Sequence, residues 1–185
     1  MKTERLTFPL AACLSLALAG VLPAAETAKP AIEKKKDSRI EVVFTKPETY
    51  ADAKDSSMAT DQGRDYILGE LREYLTERAE KILPAGQKLK LEFTEVDLAG
   101  EYEPWRMPPL SDVRIVKDIY PPRFDFSYTV LDEKTGTVVL QGKETLRDMA
   151  FMMRLTIDRN DPLRFEKDML GDWLRATLIP QKKKG

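Results

Sequence analysis

Apolar residues recur along this chain with two periods, and the places where the period changes mark out its elements. Leu68, Leu71, Leu75, Ala79 and Ile82 fall on one face of a 3.6-residue repeat, and Ile67, Tyr74 and Leu83 widen the stripe. A helix is therefore predicted from Asp61, ended by Pro84 and Gly86, with Glu77 and Lys81 spaced to pair on its surface. Alternation takes over from Lys88 to Asp97, where Leu89, Leu91 and Phe93 oppose Lys88, Lys90, Glu92 and Thr94, the pattern of a half-buried strand. Ahead of the helix, Ile40 to Thr45 is a β-branched run stopped by Pro47, and residues 46–60 read as loop.

The second half continues in strands. Asp112 to Ile119 sets Val113, Ile115 and Lys117 against Arg114, Val116 and Asp118, so a strand is predicted there. Phe124, Phe126, Tyr128 and Val130 share one face of a hairpin whose return strand is Thr137 to Glu144. Its turn is Asp132 to Gly136, with Gly136 supplying positive φ. Leu146 to Leu155 fits a strand extension or a short helix. Asp161-Pro162 is predicted to cap a final helix with the proline at its first position. Phe165, Met169, Leu170, Trp173, Leu174 and Leu178 form that helix's buried face, and Pro180 ends it. The order strand, helix, four strands, helix predicts an α+β domain: a largely antiparallel sheet of about five strands with two main helices packed on one face. No internal repeat is present.

The first residues carry a different signal. Lys2 and Arg5 precede an uncharged apolar run from Leu6 to Leu22, and Pro23-Ala24-Ala25 then supplies small residues before Glu26. That order is the pattern of a secretory signal peptide, 1–25, and predicts a periplasmic protein. Leu10-Ala11-Ala12-Cys13 also resembles a lipidation signal, but the apolar run continues past Cys13 to Leu22, which favours soluble export. The run is also short for a bilayer span, so no stable membrane insertion is expected after cleavage. Residues 26–38 are charged and without apolar period, a flexible linker; 39–180 form the single domain, and 181–185 a basic tail.

Composition then removes whole classes of chemistry. The first 25 residues hold Lys2, Arg5 and Glu4, which leaves 28 basic against 30 acidic residues, the wrong balance for a nucleic-acid binder. Lys34–Lys36 and Lys182–Lys184 read as solubilising tails. There is no histidine, and Cys13 is the one cysteine. Triads built on histidine, the usual zinc sites and an axial histidine for haem are thereby excluded. Glycines never lie closer than six apart, so no dinucleotide or P-loop motif exists. Met149, Met152 and Met153 have the thioethers of a soft copper site, but their spacing with Leu146 and Ala150 points to packing. No cofactor and no metal site is expected.

The stretch from Asp97 to Arg123 is where chemistry concentrates. Pro104, Pro108, Pro109, Pro121 and Pro122 stiffen it, and Tyr102, Trp105 and Tyr120 are set among charges. Rigid backbone with Trp and Arg has the composition of an interaction hot spot, and Glu101, Glu103, Trp105, Arg106, Arg114 and Arg123 are the candidate binding residues. Large aromatics are more often buried than displayed, so Trp105 is expected to cap an open edge or end of the sheet. Asp97 and Glu101 are the candidates for a carboxylate pair. With so many acids in the chain, ion pairs with Arg106, Arg114 or Arg123 account for the same residues.

Asp97-Leu98-Ala99-Gly100-Glu101-Tyr102-Glu103-Pro104-Trp105, Asp112-Val113-Arg114, Tyr120-Pro121-Pro122-Arg123, Leu146-Arg147-Asp148-Met149 and Phe165-Glu166-Lys167 with Leu170 and Trp173 resemble the domain of unknown function 3016 family. The likeness extends over about residues 39–178. It implies a Gram-negative, exported setting and brings with it no activity, cofactor or catalytic residue. The expected function is a non-enzymatic periplasmic binding module for an envelope protein. A carboxylate-based hydrolase of an envelope substrate and a carrier for a small ligand between sheet and helices are the alternatives.

Overall fold

A computed structural model describes residues 38–54, 60–108, 110–155 and 159–179. The predicted signal peptide with Cys13, the linker up to residue 37, Pro180 and the basic tail lie outside the described residues. Six strands and two helices follow in the order β1 (Ile40–Phe44), α1 (Asp61–Ile82), β2 (Gln87–Asp97), β3 (Glu101–Tyr102), β4 (Arg114–Ile115), β5 (Arg123–Asp132), β6 (Val138–Arg147) and α2 (Arg164–Leu178). A four-stranded sheet has the order β1-β2-β5-β6, and β3 pairs with β4 in a separate ribbon. The class is α+β. β1 runs parallel to β2, with α1 as the crossover, and the other pairings are antiparallel.

The alternation read in the sequence fixes one face of the sheet as core. Leu89, Leu91 and Phe93 stand opposite Val130, Tyr128 and Phe126. A bulge after Phe93 then shifts the alternation by one residue, which turns Val96 rather than Glu95 inward. Trp173 of α2 closes the core edge-on to Phe126 and Tyr128, at 4.7 and 5.2 Å between ring centroids. Leu71, Leu75 and Ala79 of α1 are fully buried in the same cluster, so both helices cover the same face. The N-terminus of α1 is capped by Thr60, whose Oγ1 accepts the N–H of Gly63 at 3.0 Å.

Three expectations are corrected, for the strand over 112–119, the start of the last helix and the packing of the methionines, and the alternatives over 146–155 are resolved. The strand expected over 112–119 shrinks to Arg114–Ile115, because its partner β3 is only two residues long and Pro104 cannot donate to a ladder. Val113 and Ile119 face solvent, so the alternation there marked no buried face. The last helix begins at Arg164 instead of Pro162: the Asp161 carboxylate accepts the N–H of Leu163 at 2.8 Å and forms a turn ahead of the helix. Over 146–155 the strand runs on to Arg147, and a 3-10 turn follows at Phe151–Met153. That short turn directs one side chain inward, Phe151 against Phe165, and leaves Met149, Met152 and Met153 exposed rather than packed.

Candidate functional site

The segment from β2 to β5 is built on buried charge. β2 ends at Asp97, and the turn 98–100 is then fastened from three directions. Leu98 N–H donates to Asp52 O at 3.2 Å, Gly100 N–H to Tyr120 O at 3.0 Å, and Ala99 N–H to Glu166 Oε1 at 2.6 Å. Gly100 has φ +87°, and a Cβ there would sit 2.9 Å from the carbonyl oxygen of Ile115. Both the backbone and the space therefore demand glycine. Gly100→Ala is expected to cost about 2 kcal/mol, read from the midpoint of urea unfolding.

Past this turn, Glu103 is only 2 % exposed and acts as a hub. Its carboxylate accepts from Arg106 Nε, from Lys117 Nζ and, at 3.2 Å, from Tyr120 OH. The Lys117 and Arg106 contacts together hold its carboxyl down to about 2. Its own carbonyl takes the N–H of Arg106 at 3.0 Å, which closes a four-residue turn with Pro104 in the second position and Trp105 in the third. The turn sends Trp105 outward. At 72 % exposed it caps neither edge nor end of the sheet, contrary to the expectation from size alone. Met107 beside it is 83 % exposed.

Arg114 belongs to a second cluster. It grips both oxygens of the buried Asp52, donates to the carbonyls of Gly100 and Lys54 at 3.1 and 2.9 Å, and lies 4.7 Å above the Tyr102 ring. Lys54 joins through Asp52 at 3.6 Å and Glu101 at 3.8 Å. Asp97 sits at the edge of this cluster. Burial, with the charges of Asp52, Glu95 and Glu101, pushes its carboxyl up to about 6, against the pull of Arg114. Arg123, directly across from Asp97 in the ladder, pairs instead with Asp125 on β5.

The candidate residues thus separate into a displayed pair, Trp105 and Arg106, a hub beneath them, Glu103, and a clasp, Arg114 with Asp52, beside which stand Asp97 and Glu101. Arg123 lies apart on the sheet. Sequence reasoning missed Asp52, Lys54, Lys117, Tyr120 and Glu166. For Glu166 a signal existed: it falls on the same helical stripe as Leu170 and Trp173, where a charge is out of place. For Asp52, sixty-two residues from Arg114, none did.

A family model described as "Protein of unknown function (DUF3016)" matches residues 38–176. Among solved structures, the chain is similar to a Caulobacter crescentus CB15 protein described as "a putative lipoprotein", at 15% identity and a TM-score of 0.32, over 75% of this chain and 84% of that one. No curated protein matches. Among the described residues, no helix is long and apolar enough to cross a membrane.

Proposed function

The chain belongs to the DUF3016 family, and from that premise we propose that it is an exported, non-enzymatic binding module of the bacterial envelope, which grips a protein partner through Trp105. The observation that carries this reading is the pairing of an indole 72 % exposed with a fully buried anchor directly beneath its turn. A solvent-facing tryptophan contributes little to the fold, while three partners on Glu103 hold the turn that presents it. Such pre-organisation lowers the entropy lost on binding and is the hallmark of an interface anchor. Pro104 adds to it by fixing φ at the second turn position.

Location follows from the N-terminal pattern of Lys2 and Arg5, the apolar run to Leu22 and Pro23-Ala24-Ala25, which reads as an export signal to the periplasm. Arg106 contributes twice, holding the hub and lending positive charge beside the indole, so its loss affects both fold and binding. Trp105→Ala separates the two. It is expected to shift the melting temperature by no more than about 2 °C while abolishing partner capture in cells. A large loss of stability would instead assign Trp105 a packing role.

A further inference from the structure

A cavity of about 230 Å³ opens between the first turns of α1, the 98–100 turn and the start of α2. Ile67, Leu98 and Leu163 supply apolar walls, and the side chain of Tyr102 lies among them. Lys54, Arg114 and Glu166 also reach it. Two of these three are already satisfied. Arg114 donates to both oxygens of Asp52, to Gly100 O and to Lys54 O, which takes up four of the five N–H groups of its guanidinium, and its plane lies over the Tyr102 ring. Lys54 lies between Asp52 and Glu101.

Glu166 differs. It is 1 % exposed, its Oε1 takes the Ala99 N–H, and its Oε2 has no partner among the described residues. A buried acceptor without a donor is costly, and such an atom beside a cavity calls for an explanation. The charges sharpen it. Asp52 and Glu101 already balance Arg114 and Lys54, so the unmet group is an acceptor whose negative charge has no counter-ion within contact.

We propose that this cavity binds a small organic ammonium ion with an apolar body, whose N–H groups complete Glu166 Oε2 while its hydrocarbon lies on Ile67, Leu98 and Leu163. An anion meets the repulsion of Glu166 and finds Arg114 already committed to the Asp52 carboxylate and to two carbonyls. A neutral alcohol supplies one hydrogen bond and no charge. The order of preference is ammonium, then alcohol, then carboxylate. This site shares no lining residue with the Trp105 turn and stands independently of it.

Protonation of Glu166 competes with such a ligand. Burial pushes this carboxyl up to about 7, opposed by the Ala99 N–H and by the charges of Arg114 and Arg164. Lys54 is the remaining charged residue of the lining, and it is paired with Asp52 and Glu101. Between pH 6 and pH 8 an alkylammonium keeps its charge while Glu166 gains its own, so affinity is expected to rise about tenfold.

The test titrates the protein with 2-phenylethylamine, 2-phenylethanol and phenylacetate at pH 6 and pH 8, followed by calorimetry and by the amide resonance of Ala99. The amine is expected to bind, to move the Ala99 resonance and to bind about tenfold tighter at the higher pH; the alcohol binds more weakly, and phenylacetate does not bind. Glu166→Gln keeps the Ala99 contact and is expected to lose about tenfold or more in amine affinity at pH 8, together with the pH dependence. Binding of phenylacetate equal to that of the amine, an affinity indifferent to pH, or no binding of the amine at about 10 mM overturns the proposal. Should the glutamine variant fail to fold, the pH comparison on the unsubstituted protein decides alone.

Discussion

Glu103→Ala is expected to lower the melting temperature by about 5–10 °C and to open the loop after it to trypsin. Removing a buried carboxylate strands the groups it held, and here there are three: Arg106, Lys117 and Tyr120. The two cations are each about one-third exposed and recover some hydration, which keeps the loss below that of a fully buried pair. The loss of order is local and large. Arg106 and Lys117 are themselves trypsin sites, and in the native protein both are pinned to Glu103. Cleavage after either residue should accelerate many-fold in the variant, while sites in α1 and the sheet stay protected. The same contribution has a pH signature. Because the folded-state carboxyl is held down to about 2, its stabilisation is present above about pH 4.5 and lost as pH falls toward 2. Unchanged cleavage after Arg106 in Glu103→Ala would show that the turn holds without its hub.

Glu166 should act with the opposite sign. Its folded-state carboxyl lies at about 7 against 4.5 for an ordinary glutamate, so the folded protein binds a proton that the unfolded chain has already released. Stability is therefore greatest below about pH 4.5 for this group and falls as pH rises to 7. The size of the fall is about 3 kcal/mol. Glu166→Gln removes it, since a neutral amide at the same place keeps the Ala99 contact without a buried charge. The variant is expected to be more stable than the parent at pH 8 by up to about 3 kcal/mol and nearly equal to it at pH 5, read from urea midpoints. Asp97, raised to about 6, adds to the same trend. With Glu103 losing its effect in acid and Glu166 and Asp97 costing stability in base, the parent should be most stable near pH 5. A parent as stable at pH 8 as at pH 5 would contradict this account of Glu166.

How far the sequence foretold this arrangement depends on how local each cause is. α1, β2, the β5–β6 hairpin and the buried face of α2 were legible because one periodic stripe or one glycine turn defines each. The pairing of β1 beside β2 was not, since nothing in Ile40–Phe44 says which strand it joins. Residues 112–119 misled because alternation records a spacing and not a burial, and β3 offers only two residues for pairing. The turn chemistry of the proline-rich stretch, Pro104 followed by Trp105, was present in the sequence. The size of the indole argued for the wrong place, since the core position open to a tryptophan beside Phe126 and Tyr128 is taken by Trp173. Glu103 and Arg106 lie three apart and could be paired on paper. Asp52 with Arg114, and Ala99 with Glu166, join segments more than sixty residues apart and became visible only in three dimensions.

Trp105 is proposed as the contact surface for a protein partner in the envelope. The direct test places a photoreactive residue at the exposed Met107, leaving the indole intact, and irradiates cells that export the protein. The account predicts one discrete adduct to another protein, lost when Trp105→Ala is added although the domain still folds. An adduct that persists without the indole, or crosslinks confined to this chain, would contradict it.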